Sequence, residues 1–226
     1  MRISLALLAS TFLCAATPAL ADCSDTITIK AASGYILKDV GVTASKDPVV
    51  QVEGTRTCGK ISYDIFLSGG PAGKTANEID LSLYYDTVEG IFKIQLSGQY
   101  YFVNLGRSLF KPKDDIVEFY GDVSVPITRG KVTVAPVFRV VEMVGVKDLP
   151  SLTLLQPGGR ISFQPISRVT VSVDGRYSIN VTQGYATVRG SLTGSYQATE
   201  RLSFNLSWED TDRTGHVVSA GLKLHL

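Results

Sequence analysis

Segment after segment of this chain is apolar at every second residue. In RLSFNLSWED, Arg201–Asp210, Leu202, Phe204, Leu206 and Trp208 share one parity, and Ser203, Asn205, Ser207 and Glu209 share the other. A period of two belongs to a β-strand with unlike faces, because a helix repeats its faces every 3.6 residues. ANEIDLSLYYD, GIFKIQLSGQYYF and SRVTVSVDGRYSINV alternate in the same way. After residue 16 no apolar run approaches the roughly 20 residues that a helix needs to cross a bilayer. If the chain sits in a membrane it must do so as a closed barrel, since only helices and closed barrels pair every backbone group in lipid.

The alternation predicts twelve strands: Asp25–Lys38, Pro48–Thr57, Lys60–Ser68, Ala76–Val88, Ile91–Val103, Asp115–Thr128, Lys131–Val144, Ser151–Gln164, Ser167–Val181, Tyr185–Ala198, Arg201–Asp210 and His216–Leu226. Pro126, Pro136 and Pro157 interrupt strands and predict bulges or strand ends, because proline cannot donate to a ladder. The connections alternate in length. Long ones run over Asp39–Asp47, Gly69–Thr75, Asn104–Asp114, Gly145–Pro150 and Thr211–Gly215; short ones sit at Cys58-Gly59, Glu89-Gly90, Arg129-Gly130, Pro165-Ile166 and Thr199-Glu200. Thr182–Gly184 is a tight turn within the long series. Alternation alone fits a soluble sheet as well, with the apolar face as core. The loop asymmetry, and a last strand that alternates up to Leu226, favour an up-and-down membrane barrel with its apolar face in lipid.

The front of the chain, MRISLALLASTFLCAATPALAD, has one arginine, an apolar run and Ala19-Leu20-Ala21 as a cleavage site. This is the layout of a secretory signal peptide over residues 1–21, leaving one barrel domain over residues 22–226. A lipoprotein would need a small residue before Cys23, where the chain has Asp22. Cys14 leaves with the signal. Cys23 and Cys58 remain as a pair in an oxidising compartment, where a disulfide is the default and two free thiols the alternative. Cys23, Cys58, His216 and His225 lack the spacing of a zinc site, and the acidic pairs Asp114-Asp115 and Asp210/Asp212 read as solvated loop charge.

The formal net charge is +1, which leaves no electrostatic footprint for nucleic acid. A hydrolase would need nucleophile and base on one face. His216 and Ser219 are three residues apart and face opposite ways on a strand, so no enzyme, no catalytic residue and no cofactor is expected. The polar parity instead carries charges of both signs. Asp64, Asp80, Lys93, Glu118, Asp122, Lys131, Arg139, Arg168, Asp174, Arg176, Arg189 and Lys223 are candidate lumen-lining residues, with Arg160 in the same series. The connection NLGRSLFKPKD is the longest and is basic. Its Arg107, Phe110, Lys111 and Lys113 are candidates for a gate or a contact loop.

The blocks SGYILKDVGVTASKDPVVQVEGT, KISYDIFLSGG, NEIDLSLYYD, GIFKIQLSGQYYF and IVEFYGDVSVPI, in that order over Ser33 to Ile127, resemble the TorF-family porins of proteobacteria. The resemblance implies an outer-membrane barrel and a pore, with no catalytic residues to carry over.

The resulting expectation is an all-β, up-and-down antiparallel transmembrane β-barrel of about twelve strands in a Gram-negative outer membrane. It would pass small hydrophilic solutes or ions passively, with weak selectivity. Its partners would be outer-membrane lipid and those solutes, and the sequence sets no oligomeric state. The alternative is a closed structural or adhesive barrel whose outer loops bind a partner.

Overall fold

The computed structural model describes residues 23–37, 42–70, 78–103, 115–146 and 150–226. The strands are β1 (Cys23–Ala32), β2 (Tyr35–Leu37), β3 (Val42–Ser45), β4 (Val49–Cys58), β5 (Ile61–Gly69), β6 (Glu78–Glu89), β7 (Phe92–Val103) and β8 (Ile116–Ser124). They continue as β9 (Ile127–Arg129), β10 (Val132–Gly145), β11 (Leu152–Ile166), β12 (Val169–Asn180), β13 (Tyr185–Gln197), β14 (Leu202–Thr211) and β15 (Gly215–His225). Apart from the small β2–β3 hairpin, all belong to one sheet. Each wall strand pairs antiparallel with its neighbour, β9 continues β8 beside β10, and β15 pairs with β1. The result is a closed twelve-strand barrel.

Closure is continuous in register, from Thr26↔His225 to Ala32↔Ser219 between β1 and β15. The short turns, both described chain ends and the disulfide gather at one rim. Gly90 (φ 62°) and Gly130 (φ 59°) supply the left-handed conformation that two-residue turns of this kind need. Cys23 and Cys58 stand opposite each other on β1 and β4 and are joined by a disulfide. The longer connections leave from the other rim.

The structure revises the expected elements in four places. The first expected strand stops at Ala32 and resumes as the β2–β3 hairpin, so the expected Asp39–Asp47 loop contains β3. Asp115–Thr128 breaks at Val125-Pro126 into β8 and β9, as proline predicts. Pro136 and Pro157 neither end nor bulge their strands: the β10–β11 register is unbroken from Val132↔Phe163 to Met143↔Leu152. Each proline removes one donor, and the flanking pairs hold the register. Finally, β11 runs on to Ile166, moving the turn to Ser167-Arg168, and Pro165 lies in an irregularity between Phe163 and Ile166.

Burial is inverted relative to a soluble protein. Among the described residues the most buried side chains include Glu78, Glu118, Gln156 and Asn180, while Leu83, Leu206, Trp208 and Leu222 lie open on the outside. Tyr63, Tyr85, Phe92, Tyr196 and Phe204 lie outward toward the short-turn rim, and Phe119, Tyr177 and Trp208 toward the other. An apolar outer belt between two aromatic levels is the surface of a barrel made for lipid.

Leu206, 60 % exposed at the middle of β14, tests this face. Leu206→Arg is expected to lower folding stability in lipid vesicles by about 2–4 kcal/mol, and Asn205→Arg, on the inner face, by clearly less, read from urea titrations.

Candidate functional site

The inner parity of each strand carries the polar residues, but the interior has two unlike sides. On one side, β10, β11, β12 and β13 present Arg139, Arg160, Arg176 and Arg189 beside Asp122 and Asp174. Asp122 Oδ2 accepts from Arg139 Nε at 2.9 Å and from Arg176 Nη1 at 3.2 Å. The second contact joins β12 to β8 over the two strands between them, which only side chains inside the barrel can do. Arg176 Nε also lies 3.4 Å from Asp174 Oδ1, and Arg160 Nη2 is 3.2 Å from Asp174 Oδ2, an ion pair off the line of a hydrogen bond. The Arg139 guanidinium stacks 4.0 Å from the Tyr120 ring centroid, and the Tyr120 hydroxyl donates to Gln95 Oε1 at 2.8 Å. Arg189 Nη2 reaches Gln156 Oε1 at 3.5 Å, and Gln156 Nε2 donates to Ser178 Oγ at 3.0 Å.

The network depends on a glycine. A Cβ on Gly158 would lie 2.3 Å from the Gly175 carbonyl oxygen and 2.8 Å from Arg176 Cγ. Gly158 pairs with Arg176 on β12, and its missing side chain makes the space through which Arg176 crosses toward Asp122.

The other side is acidic. Glu53 on β4, Asp64 on β5, Glu78 and Asp80 on β6 and Glu118 on β8 share the inner parity, and Thr55 Oγ1 donates to Asp64 Oδ1 at 2.9 Å. Near the long-connection rim an apolar cluster of Tyr120, Val141, Met143 and Leu154 also faces inward. The expectation of a uniformly hydrated, charged wall fails there, because Val141 and Met143, the inner-parity residues at that end of β10, are apolar.

The β2–β3 hairpin fills the space between. It leaves β1 through Ser33, whose N–H donates to the Val218 carbonyl at 2.9 Å and whose Oγ accepts from the Val218 N–H at 3.0 Å. From there Tyr35 packs at 6.1 Å from the Phe66 ring on β5, on the side of the interior that carries Glu78 and Asp80. Leu37 packs against the apolar cluster of β8, β10 and β11. Ile36 is buried and borders a cavity of about 530 Å³ that Arg139, Arg160, Asp174, Arg176, Arg189 and Glu209 also line. The hairpin therefore lies over the acidic side and leaves the arginine side open.

Of the residues expected to line a lumen, Asp64, Asp80, Glu118, Asp122, Arg139, Asp174, Arg176, Arg189 and Lys223 fall on the inner parity. Lys93 does so at the exposed end of β7. Lys131 and Arg168 instead stand in tight turns at the rim, because β10 starts at Val132 and β12 at Val169. Arg107, Phe110, Lys111 and Lys113 lie outside the described residues, as do residues 1–22. The expectation missed Glu78 and the hairpin. The parity of Glu78 with Asp80, and the Ser33-Gly34 break inside the first strand, were the available signals. His216 is exposed beside Asp210 and Ser219 is buried, on opposite faces of β15, and among the described residues no three His, Cys, Asp or Glu side chains gather as a metal centre.

No family model matches this chain, and no curated protein does. Its fold is that of solved porins. The KdgM porin aligns with a TM-score of 0.59 at 10% identity, over 90% of this chain and 98% of that one. The same porin in complex with disordered oligogalacturonate gives 0.59 at 11%, over 90% and 98%. The NanC porin gives 0.57 at 8%, over 89% and 98%. The closed barrel thus matches the architecture of outer-membrane porins, and these identities carry the fold alone.

Gly158→Ala is expected to displace Arg176 and lower the unfolding midpoint in detergent, by about 1–3 kcal/mol as overpacking does. Gly175→Ala, whose added Cβ would meet nothing within 4 Å, is the control.

Proposed function

We propose that this protein is an outer-membrane porin, exported by the signal peptide read at its front, that lets small hydrophilic solutes and ions diffuse passively. The observation that carries the reading is the polar cavity of about 530 Å³ left beside the hairpin within a barrel of porin form. The sequence blocks that resemble TorF-family porins point the same way, and we take the chain to be a porin of that kind.

In this reading a solute passes along the arginine side. Guanidiniums, carboxylates and the hydroxyls of Ser162, Ser172, Ser191 and Thr193 replace part of its hydration shell. Asp122 and Asp174 engage Arg139, Arg160 and Arg176, so the wall offers no large excess of either sign and selectivity is weak. Arg160, more than half of whose side chain is exposed to the cavity, supplies the most accessible positive charge and tilts that weak preference toward anions.

A second reading has its own support. The hairpin and the Arg176–Asp122 bridge both cross the interior, as they would in a closed barrel whose role is structural or adhesive at its outer loops.

Single-channel recording of the folded protein in planar bilayers separates the two. Discrete current steps are expected from the wild type, and severalfold larger steps when residues 34–46 are replaced by a short Gly-Ser linker. Silence from both proteins would sink the diffusion reading in favour of the closed barrel. Arg160→Ala is expected to shift the anion-to-cation permeability ratio toward cations by roughly twofold to fivefold, since a unit charge at about 4 Å in a water-like medium is worth about 1 kcal/mol.

A further inference from the structure

On the acidic side Glu78, Asp80 and Glu118 are buried, which keeps them out of the solute path proposed above. Glu78 and Asp80, two residues apart on the inner face of β6, are only 2 % and 6 % exposed. The charged groups that act most strongly on Asp80 are Glu78, Asp64 and Glu118, all acidic. A buried carboxylate is costly to leave without a compensating proton or cation.

A second observation decides between those. Gln51, Ser68 and Glu78 form one inward-facing row across β4, β5 and β6, through the register pairs Gln51↔Ser68 and Ser68↔Glu78. Gln51 and Ser68 are 3 % and 7 % exposed, and Gln51 Oε1 and Ser68 Oγ, like Glu78 Oε1 and Asp80 Oδ1, are buried with no hydrogen-bond partner among the described residues. A shared proton would serve the two carboxylates and leave both neutral oxygens orphaned, at about 1–3 kcal/mol each. A hard cation would serve all four, since calcium takes carboxylate, amide and hydroxyl oxygens together. Ser68 is the smallest of the row and stands between the two long side chains. Lys30 is the next residue along the row, opposite Gln51 on β1, and is itself engaged in an interaction.

We propose that Glu78, Asp80, Ser68 and Gln51 bind a divalent cation of calcium size inside the barrel, beneath Tyr35. With two carboxylates and the rest neutral oxygens the site belongs with weak calcium sites, of Kd about 10⁻⁴–10⁻³ M. Tyr35, packed against Phe66 on β5, makes the hairpin the roof of the site, so the ion fastens the hairpin to the wall.

The test is calcium binding to the full folded protein in detergent by equilibrium dialysis, with terbium luminescence excited through tyrosine as the second readout. Saturable calcium binding and terbium emission that calcium displaces are expected. Glu78→Gln with Asp80→Asn is expected to weaken binding at least about tenfold, the loss of both charged ligands. Ser68→Ala, which keeps both carboxylates and adds no bulk, is expected to weaken it by about threefold to tenfold while heat-modifiable migration on gels shows the barrel intact. No saturable binding up to about 10 mM calcium, well above the range of weak sites, would overturn the proposal and leave a proton-sharing pair. Equal binding by wild type and the doubly substituted protein would overturn it too, by placing the ion elsewhere.

Discussion

An unpaired peptide group in hydrocarbon has no water to turn to, and this governs everything else in the molecule. A sheet can meet that demand only by having no edge. The β1–β15 seam removes the edge: seven consecutive register pairs join the first strand to the last, so neither depends on solvent. Once the sheet is closed, the period of two has a single solution. One parity must face lipid and the other must share a narrow interior, and every charge on the inner parity must find a partner there.

The interior meets that requirement by sorting its charges. The arginines of β10 to β13 share Asp122 and Asp174, and a glycine on β11 gives Arg176 room to reach across two strands. Glu53, Asp64, Glu78, Asp80 and Glu118 stand on the other side of the interior, where Tyr35 of the inner hairpin packs against Phe66. The hairpin meets a different chemistry on each side: Ile36 borders the arginine cavity, Leu37 joins an apolar cluster, and Tyr35 meets a carboxylate. A polar element would find no support at Val141 and Leu154, and an apolar one none at Glu78.

The wall was legible in the sequence for a physical reason. A membrane strand contrasts lipid with lumen at each step, so RLSFNLSWED states its own orientation, and twelve such segments state the architecture. The interior was not legible because parity says which side a residue faces but not how far its side chain reaches. Asp122 and Arg176 are 54 residues apart, and nothing local to either indicates that they meet. The hairpin was hidden by its own composition: Tyr35, Ile36 and Leu37 continue the apolar character of β1, and only Ser33-Gly34 marks the departure. Pro136 and Pro157 misled in the opposite direction, since the unbroken β10–β11 register carries both strands past gaps at these prolines in the ladders on their other sides. Lys131 and Arg168 stand in turns because a turn at a barrel rim can begin one or two residues later than alternation indicates.

The disulfide has a topological consequence. By joining Cys23 to Cys58 it turns the intervening backbone into a covalent ring, and the inner hairpin is an arc of that ring. Any single break in the backbone of the ring opens it without releasing a fragment. The arc keeps a root on β1 or on β4 and cannot be lost to the medium, so the contents of the barrel are tethered by connectivity as well as by contact.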